Sequence, residues 1–344
     1  MITVHTLEQS NEWDKIVRSF SDYDVYYLSG YVKAFQIHGD GQPLLFYYET
    51  EKMRAMNVVM KRDISNDNRF SEKIEKNTYF DFITPYGYGG WISEGISSED
   101  FLLEYENWCG KNNIISEFVR FHPVIKNCEF LRNNYEVIDL GGTISMDITS
   151  PEVIWQNITS KNRNMIRKAQ KSGVKIYNGR FPQIFDEFIK IYNGTMDKDN
   201  ADKYYYFGKD FYDSILNDLK SEAQIFYAEL EGKIIAASII LAANGKLNYH
   251  LSGSLREYQS LAPTNLILYE TALWGSDNGY KTLHLGGGVG SREDSLYKFK
   301  KAFNRGEPCQ FSIGKKIFDL EKYNELTDMR NDLTDSGYFP KYRA

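Results

Sequence analysis

The chain of 344 residues is 42% hydrophobic and rich in aromatic residues, with 26 Tyr and 21 Phe. This composition is typical of a globular protein with a sizeable core, and the length is comfortable for two domains. The formal net charge of −6 excludes nucleic-acid binding driven by overall charge, although a local basic groove remains compatible with it.

Metal-binding and targeting patterns are missing from the sequence. The three cysteines, Cys109, Cys128 and Cys309, show no metal-ligand spacing, and an odd number suits a reducing compartment. The first residues lack a basic region followed by an apolar run, and no run approaches the roughly 20 apolar residues of a membrane helix. We therefore expect a soluble cytoplasmic protein with no metal and no integral membrane segment.

The first 121 residues alternate predicted helices and strands. Ser29 is a candidate N-cap for a helix that carries Lys33, and Ser98 is a candidate N-cap for a second helix. A strand that ends at Ile83 leads into a loop of glycine and aromatic residues, Thr84–Trp91. Further strands are predicted at residues 43–48, 53–60 and 114–121.

Residues 135–171 are predicted to form two strands and one long helix. Gly141 and Gly142 separate the strands, and Ser150-Pro151 opens the helix, where proline suits the first turn. One side of this helix is apolar and the other is basic. The basic side carries Lys161, Arg163, Arg167, Lys168 and Lys171.

The last third of the chain begins with three consecutive predicted strands, joined by the hairpin turns Glu231-Gly232 and Asn244-Gly245. After them come helix 263–278, strand 282–285, helix 291–303, strand 310–313 and, after residue 319, a short helix with a frayed tail. The first half repeats this order of strands, polar loop, helix and strand, which indicates duplicated α/β domains.

A strand that runs into three glycines is a candidate ligand-binding segment. Leu285-Gly286-Gly287-Gly288 is followed by a helix with Lys298, Lys300 and Lys301. Glycines allow a ligand to approach the backbone closely, and a helix N-terminus presents N–H groups to an anion. A flexible loop without a ligand is the alternative.

The order of elements in the second half resembles the GCN5-related N-acyltransferase fold. Within that superfamily the chain resembles the FemABX-like acyltransferases, which build peptidoglycan bridges. The segments that carry the resemblance are Tyr31–Phe35, Asp81–Gly90, Trp155–Ala169 with Gly173-Val174, Tyr249–Ser254, Ala262–Leu266, Leu285–Gly288 and Phe299–Phe303.

The resemblance implies a place for the acyl donor. In that fold two central strands splay apart, and the donor's pyrophosphate binds at the N-terminus of the following helix. The donor-binding candidates are therefore Ser252, Pro263, Thr264, Asn265, Gly286 and Gly287.

Two departures from the family pattern leave the donor open. The Gln/Arg-x-x-Gly-x-Gly/Ala loop that cradles coenzyme A does not precede Pro263. The basic coiled-coil insertion of several aminoacyl-tRNA-using members is also missing. The donor is thus either a coenzyme A thioester or an aminoacyl-tRNA.

The resemblance makes Lys300 the first candidate for chemistry. The lysine of the Phe-Lys-x-x-Phe segment lies at the acyl-transfer site of that family, where a cation stabilises an oxyanion. Asp81 is a candidate base for the attacking amine, or else a carboxylate that ties down the loop after it.

His250 is a further catalytic candidate, with a structural histidine as the alternative. Strand alternation predicts that His250 and Ser252 lie on one face and that Tyr249 and Leu251 lie on the other.

Five residues are candidates for substrate binding. Lys33, Arg163 and Arg167 are candidates for holding phosphates of the acceptor or donor, because arginine makes bidentate phosphate contacts; an exposed basic face is the alternative. Tyr86 and Tyr88 are candidates for stacking on a sugar or base, or for packing.

We therefore predict an α/β (α+β) protein of two tandem GCN5-related N-acyltransferase-like domains, with mixed, mostly antiparallel sheets flanked by helices. Residues 1–142 are expected to contact the acceptor, residues 143–320 to carry the donor site, and residues 321–344 to form a tail.

The predicted function is transfer of an acyl or aminoacyl group to an amine of a cell-wall or surface-polysaccharide precursor, either an amino sugar or a peptide. The donor is expected to be a coenzyme A thioester or an aminoacyl-tRNA, and no DNA partner is expected. The alternative is a non-enzymatic binding module with a degenerate donor site.

Overall fold

A computed structural model describes residues 1–95, 100–330 and 337–344, so the predicted cap Ser98 lies outside the described residues. The chain divides into two compact units. Unit 1 comprises Met1–Leu140 and Phe311–Ala344, and unit 2 comprises Gly141–Gln310. Residues 311–320, which the sequence assigns to the second domain, group with unit 1 in this division.

Strands and helices alternate along most of the chain. The first elements are β1 (Ile2–His5), α1 (Ser10–Ser19), α2 (Ser29–His38), β2 (Gln42–Glu49), β3 (Met53–Asp63), β4 (Phe80–Ile83), β5 (Ile92–Gly95), α3 (Asp100–Lys111) and β6 (Ile114–Arg120). They are followed by β7 (Glu136–Asp147), α4 (Pro151–Asn157), α5 (Ser160–Lys171), β8 (Lys175–Gly179), α6 (Pro182–Lys198), α7 (Lys209–Asp218), β9 (Ala223–Leu230), β10 (Lys233–Ala243) and β11 (Lys246–Ser254). The last are α8 (Pro263–Asp277), β12 (Thr282–Gly286), α9 (Ser295–Lys301), β13 (Cys309–Ile317) and α10 (Leu320–Asp328).

Unit 1 contains a mixed sheet in the order β1-β2-β3-β4-β6-β13, with β5 paired to β3. The neighbouring strands are antiparallel except β4 and β6, which are parallel. Helix α3 buries Phe101 and Tyr105 in a core that Phe46, Phe82 and Trp91 share. These alternating apolar strand residues and the apolar stripe of α3 explain why the elements pack.

The end of the chain is part of a second core of unit 1. Tyr323 and Leu326 of α10 pack with Ile115, Phe70 and the fully buried Tyr342. The prediction of a frayed tail was therefore wrong for the described C-terminal residues, because they bury apolar side chains that short-range patterns do not reveal.

Unit 2 contains a sheet in the order β7-β12-β11-β10-β9-β8. The pairs are antiparallel except β11 with β12, which are parallel. Helices α6 and α8 pack against the sheet, and α4 and α5 pack against α8. The apolar core of this unit draws on both the helices and the strands, and it includes Ile166, Ile240, Leu247, Leu266, Ile267, Leu268 and Leu283.

Two boundaries in this region differ from the prediction. A single strand, β7, runs through Gly141 and Gly142. A Cβ at these positions would overlap Ser291 and Pro308 respectively. The glycines therefore permit close packing within the strand and do not separate two strands. The predicted long helix is two helices, α4 and α5, and Thr159 caps the second by accepting the N–H of Asn162.

The predicted mixed α/β fold with mostly antiparallel sheets is confirmed. Across the described residues, no helix combines the length and the apolar composition that a membrane crossing requires.

Unit 1 buries a carboxyl group in its core. Glu117 on β6 is 1% exposed. It accepts hydrogen bonds from Asn57 Nδ2 at 3.1 Å and from the Tyr135 hydroxyl at 2.7 Å. Burial raises the pKa of Glu117 above its ordinary value, and the hydrogen bonds offset only part of that effect.

We expect Glu117→Gln to change the pH dependence of stability. Because the pKa of Glu117 is higher in the folded state than in the unfolded state, the free energy of unfolding of the wild type falls as the pH rises through the folded pKa. The variant lacks this fall and is as stable as the wild type, or more so, on the alkaline side. Urea denaturation at several pH values measures the effect, with the exposed Glu12→Gln as control. Identical pH profiles for Glu117→Gln and the wild type would contradict the expectation.

Candidate active site

Strands β11 and β12 of unit 2 pair only at their beginnings. Lys246, Leu247 and Asn248 pair with Thr282, Leu283 and His284, and no further pair joins the two strands among the described residues. Strand β11 continues to Ser254 alongside β10. The two parallel strands therefore separate after Asn248, which leaves backbone groups of both strands facing the gap between them.

A bulge in β11 lies next to this separation. The register with β10 passes from Ile239–Leu251 to Ile240–Tyr249, so His250 is the extra residue of the bulge. Ser252 pairs with Ser238 and Tyr249 pairs with Ile240, two positions that share one face of β10, so Tyr249 and Ser252 lie on the same face of the sheet. The predicted alternation, which put Tyr249 on the face opposite Ser252, was therefore wrong, because it assumed an unbroken strand.

The chemistry available to His250 and Ser252 follows from their surroundings. Burial lowers the pKa of His250 to about 3, so its imidazole is neutral near pH 7 and is a weak base. The hydroxyls of Ser252 and Ser238 are hydrogen-bonded at 2.8 Å. Together with Tyr249 they form a hydroxyl cluster on β10 and β11.

Helix α8 begins directly after a residue in the left-handed conformation. Ala262 has φ 60°, and Pro263 occupies the first turn. The segment before it, Arg256–Leu261, is a 3₁₀ helix. Asn265 Nδ2 donates a hydrogen bond to Asn162 Oδ1 of α5 at 2.6 Å. The first turn of α8, which also contains Thr264, is thereby fixed to α5.

The glycine segment is a tight connection between β12 and α9. Gly286 has φ 77°, which favours glycine. A Cβ on Gly288 would overlap the carbonyl oxygen of Arg292 and the carboxyl group of Asp294. Asp294 caps α9 by accepting the N–H of Tyr297 at 2.8 Å, and it also accepts the N–H of Val289 at 3.1 Å.

Lys300 reaches back from α9 to this segment. The side chain is 8% exposed, and Nζ donates a hydrogen bond to the Gly287 carbonyl oxygen at 2.7 Å. Burial lowers the pKa of Lys300 to about 8, although the charge of Asp294 opposes the shift. Near pH 7 the group is therefore mainly an ammonium with two further N–H donors.

Arg163 and Arg167 lie on α5, on the side away from the core. Their guanidinium groups lie 5.6 and 5.1 Å from the ring centre of Trp155. The predicted substrate-binding arginines are therefore held next to each other by a partly buried aromatic ring.

Asp81 is held by two arginines of unit 1. The carboxylate is fully buried; it accepts Arg62 Nε at 2.7 Å, Arg343 Nε at 2.5 Å and the Tyr342 hydroxyl at 3.1 Å. Burial alone would raise the pKa of Asp81, but the charges of Arg62 and Arg343 outweigh it and hold the pKa below its ordinary value. Such a carboxylate is a poor base, and this geometry favours a structural role.

Aromatic contacts and hydrogen bonds from Arg120 hold the loop after Asp81 in place. Tyr86 stacks on Phe35 with ring centres 5.4 Å apart, and Tyr88 contacts Tyr26 edge to face at 5.6 Å. Arg120 donates hydrogen bonds to the carbonyl oxygens of Thr84, Pro85 and Gly87. Both tyrosines are partly exposed, and Lys33 is exposed on α2.

The predicted residues thus divide between the two units. Lys300, Gly286 and Gly287 meet in unit 2, where the donor-binding candidates of α8 and β11 also lie. Lys33, Asp81, Tyr86 and Tyr88 lie in unit 1. Among the described residues no cluster of three or more His, Cys, Asp or Glu side chains is suited to a metal ion.

Three positions in these groups were missed by the sequence reasoning. Tyr249 was assigned to the wrong face, Asn162 was not considered although it fixes the first turn of α8, and Arg120 clamps the Tyr86–Tyr88 loop. An amphipathic-helix pattern does mark Asn162, because it is polar at a buried position of α5. No local pattern marks Arg120.

We expect Asp81→Asn to destabilise unit 1. An amide removes the carboxylate that pairs with Arg62 and leaves Arg343 with only its longer pair to Asp67 at 3.6 Å, and breaking such a buried pair costs about 3 kcal/mol. Because the folded pKa of Asp81 is lowered, its stabilisation is present at neutral pH and is lost as the pH falls through that folded pKa. Urea denaturation measures both effects.

The control for this change is Asp213→Asn, which removes an exposed carboxylate paired with Lys209 on α7 and should cost about 1 kcal/mol or less. Equal losses for the two variants would show that Asp81 is not the centre of a buried charge network.

We expect Gly288→Ala to distort the connection that carries Lys300. The added methyl group forces Arg292 or Asp294 to move, and such overpacking costs about 1–3 kcal/mol. Gly194→Ala is the matched control, because a Cβ there meets nothing within 4 Å; in helix α6 it should be neutral or stabilising by about 0.5–1 kcal/mol. Thermal denaturation compares the variants, and an unchanged melting temperature for Gly288→Ala would rule out the tight packing.

Comparisons with known proteins agree with the fold. Residues 160–301 match the family model for the acetyltransferase (GNAT) domain. A UDP-N-acetylmuramoylpentapeptide-lysine N(6)-alanyltransferase from Weissella viridescens is 29% identical over 174 residues, which cover 48% of this chain and 49% of that protein. The match therefore spans about half the length of this relative.

Solved structures share the fold over nearly the whole chain. The crystal structure of FemX aligns with a TM-score of 0.64 and 14% identity, covering 94% of this chain and 99% of that chain. A conserved protein of unknown function from Bacteroides thetaiotaomicron aligns with a TM-score of 0.59 and 11% identity, covering 92% of this chain and 100% of that chain. The resemblance found in the sequence is thus confirmed: residues 160–301 match the acetyltransferase (GNAT) domain, and the chain shares its fold with FemX.

Proposed function

We propose that this protein is an aminoacyltransferase that moves an aminoacyl group from an RNA-borne ester to an amine of a cell-wall peptide precursor. The observation that carries the proposal is the buried Lys300 ammonium, which donates to the Gly287 carbonyl oxygen at 2.7 Å beside the separated strands. The name of the Weissella viridescens relative, an alanyltransferase acting on the lysine of a cell-wall precursor, supports this choice of reaction.

The reaction requires stabilisation of an oxyanion, and it does not require a covalent intermediate on the enzyme. The amine nitrogen attacks the ester carbonyl, and a C–N bond forms while the carbonyl oxygen becomes an oxyanion. A carbonyl oxygen bound beside Gly287 would accept an N–H from Lys300, which stabilises this charge. The intermediate then breaks its C–O bond, and the leaving ribose oxygen takes the proton that the amine gives up.

The segment before α8 supports an ester donor over a coenzyme A thioester. The 3₁₀ helix Arg256–Leu261 occupies the place where coenzyme A-dependent relatives have a glycine-rich loop. Its backbone N–H groups are directed into the turn, so fewer of them are available to a pyrophosphate. Thr264 and Asn265 remain candidates for donor contacts in the first turn of α8.

The acceptor contacts are proposed for unit 1. Lys33, Tyr86 and Tyr88 lie on α2 and the clamped loop, and all three reach the protein surface. A lysine and two aromatic rings suit the phosphates and the sugar or base of a nucleotide-linked precursor. Asp81 supports the start of this loop rather than acting as a base.

We expect Lys300→Met to lower the transfer rate at least about 100-fold, the cost of removing one oxyanion donor. The assay follows transfer from alanyl-tRNA to a lysine-containing precursor peptide by mass spectrometry. Circular dichroism checks that the variant folds. Full activity in the variant would overturn the role of Lys300, and no transfer by the wild type from alanyl-tRNA or acetyl-CoA would favour a binding module.

The wild-type rate should also fall as the pH rises through about 8, the pKa of Lys300, because the ammonium loses its proton. Lys300→Arg stays protonated across this range and serves as the control. It should lack the alkaline fall even if its rate is low. The same alkaline fall in wild type and Lys300→Arg would assign the titration to another group.

A further inference from the structure

Helix α5 presents a basic face without acidic residues. Its buried residues Asn162, Ile166 and Ala169 lie on one side, and helical geometry places all the basic residues on the other. These are Lys161, Arg163, Arg167, Lys168 and Lys171. No Asp or Glu occurs between Glu152 and Asp186, so this face is defined by positive charge alone.

The positive charge of this face is not neutralised within the protein. In the described parts of the chain, none of the five basic side chains pairs with a carboxylate. Some exposed lysines elsewhere in unit 2 do pair with carboxylates, such as Lys190 with Glu187 at 2.6 Å and Lys209 with Asp213 at 3.0 Å. A local concentration of unpaired positive charge in a chain of net charge −6 favours a polyanionic partner.

Two of the arginines are pre-organised. The guanidinium groups of Arg163 and Arg167 share the ring of Trp155, which is itself 5.3 Å from the ring of Tyr269. Arg163 also donates a hydrogen bond to Ser160 Oγ at 3.3 Å. Cation–π contacts reduce the freedom of both side chains while leaving N–H groups for phosphate oxygens.

The basic face begins next to the candidate donor site. The Thr159 N–H donates to the Ala302 carbonyl oxygen at 3.0 Å, just after α9, and the Arg305 N–H donates to the Asn157 carbonyl oxygen at 3.0 Å. Asn162 holds the first turn of α8 through Asn265. The N-terminal end of α5 therefore lies against the first turn of α8 and against the residues that follow Lys300 at the end of α9, and the helix extends about 18 Å from there.

We propose that the basic face of α5 binds the sugar–phosphate backbone of the RNA that carries the aminoacyl group, an inference that rests on the proposed function. An RNA chain whose end reaches Lys300 would have successive phosphates along this face. An anionic membrane is a poorer partner, because Ile166 and Ala169 are buried, Met165 is half-buried, and the exposed face of α5 has no apolar residue to insert.

The test measures binding of fluorescently labelled, unacylated tRNA over a series of salt concentrations. The variant Arg163→Gln/Arg167→Gln/Lys168→Gln should weaken binding at least tenfold near 0.1 M salt and reduce the slope of log K against log salt by about two. The control Lys190→Gln/Lys209→Gln/Lys220→Gln removes the same charge from other exposed positions of unit 2 and should change Kd by about twofold or less.

A second variant separates charge from geometry. Arg163→Lys/Arg167→Lys keeps the charge but loses the planar groups over Trp155, so it should weaken binding while the salt slope stays near that of the wild type. Circular dichroism confirms that both α5 variants keep their helix content.

Three results would overturn the inference: tRNA binding that the α5 variants leave unchanged, no tRNA binding by the wild type, or α5-dependent binding to phosphatidylglycerol vesicles in place of tRNA. If tRNA binding depends on α5 but the wild type shows no aminoacyl transfer, the RNA-binding face stands and the proposed function fails.

Discussion

The separation of β11 from β12 is the constraint on which the candidate site depends. Two parallel strands that stop pairing after Asn248 expose backbone groups that a continuous sheet would use. The bulge at His250 shifts β11 at the same level, so the change of register is built into the strand itself. The Gly286–Gly288 segment then leaves the end of β12, and α9 returns Lys300 to it.

Buried charge is used differently in the two units. Asp81 in unit 1 is surrounded by Arg62, Arg343 and the Tyr342 hydroxyl, so its charge is fully compensated and contributes to stability. Lys300 in unit 2 donates to the Gly287 carbonyl oxygen, which carries no full charge, and desolvation lowers its pKa. A buried cation with spare donors costs stability, which is the expected property of a group that acts on a substrate.

The local charge on the surface of α5 is opposite in sign to the net charge of the chain. The total charge of the chain argues against a nucleic-acid partner, yet the segment between Glu152 and Asp186 is free of acidic residues. What matters for a polyanion is the local arrangement, because interactions beyond about 10 Å are largely screened at physiological salt. The basic face of α5 is local in this sense, since one short helix carries it.

Much of the fold was predictable because it follows from local chemistry. The hairpin turns at Glu231-Gly232 and Asn244-Gly245 both have the left-handed backbone expected of them, and Pro263 begins α8 as predicted. Local patterns failed where a distant contact decided the outcome. Gly141 and Gly142 were predicted to separate two strands, but they lie within β7, where Ser291 and Pro308 pack closely against them. Ser29 was interpreted as a cap, whereas Asp14 of α1 accepts the N–H of Ser29 at 2.9 Å.

The sequence was sufficient to predict the resemblance to the FemABX-like acyltransferases, most of the order of elements, the candidate Lys300 and the basic side of α5, because motif residues and helical periodicity are properties of neighbouring positions. The three-dimensional contacts were needed to establish that Asp81 pairs with Arg62 and Arg343, that the bulge at His250 puts Tyr249 on the face of Ser252, and that α5 contacts the start of α8 and the end of α9. The physical reason is that burial, ion pairing and strand register depend on residues far apart in the chain, and these set both pKa values and the direction of each side chain.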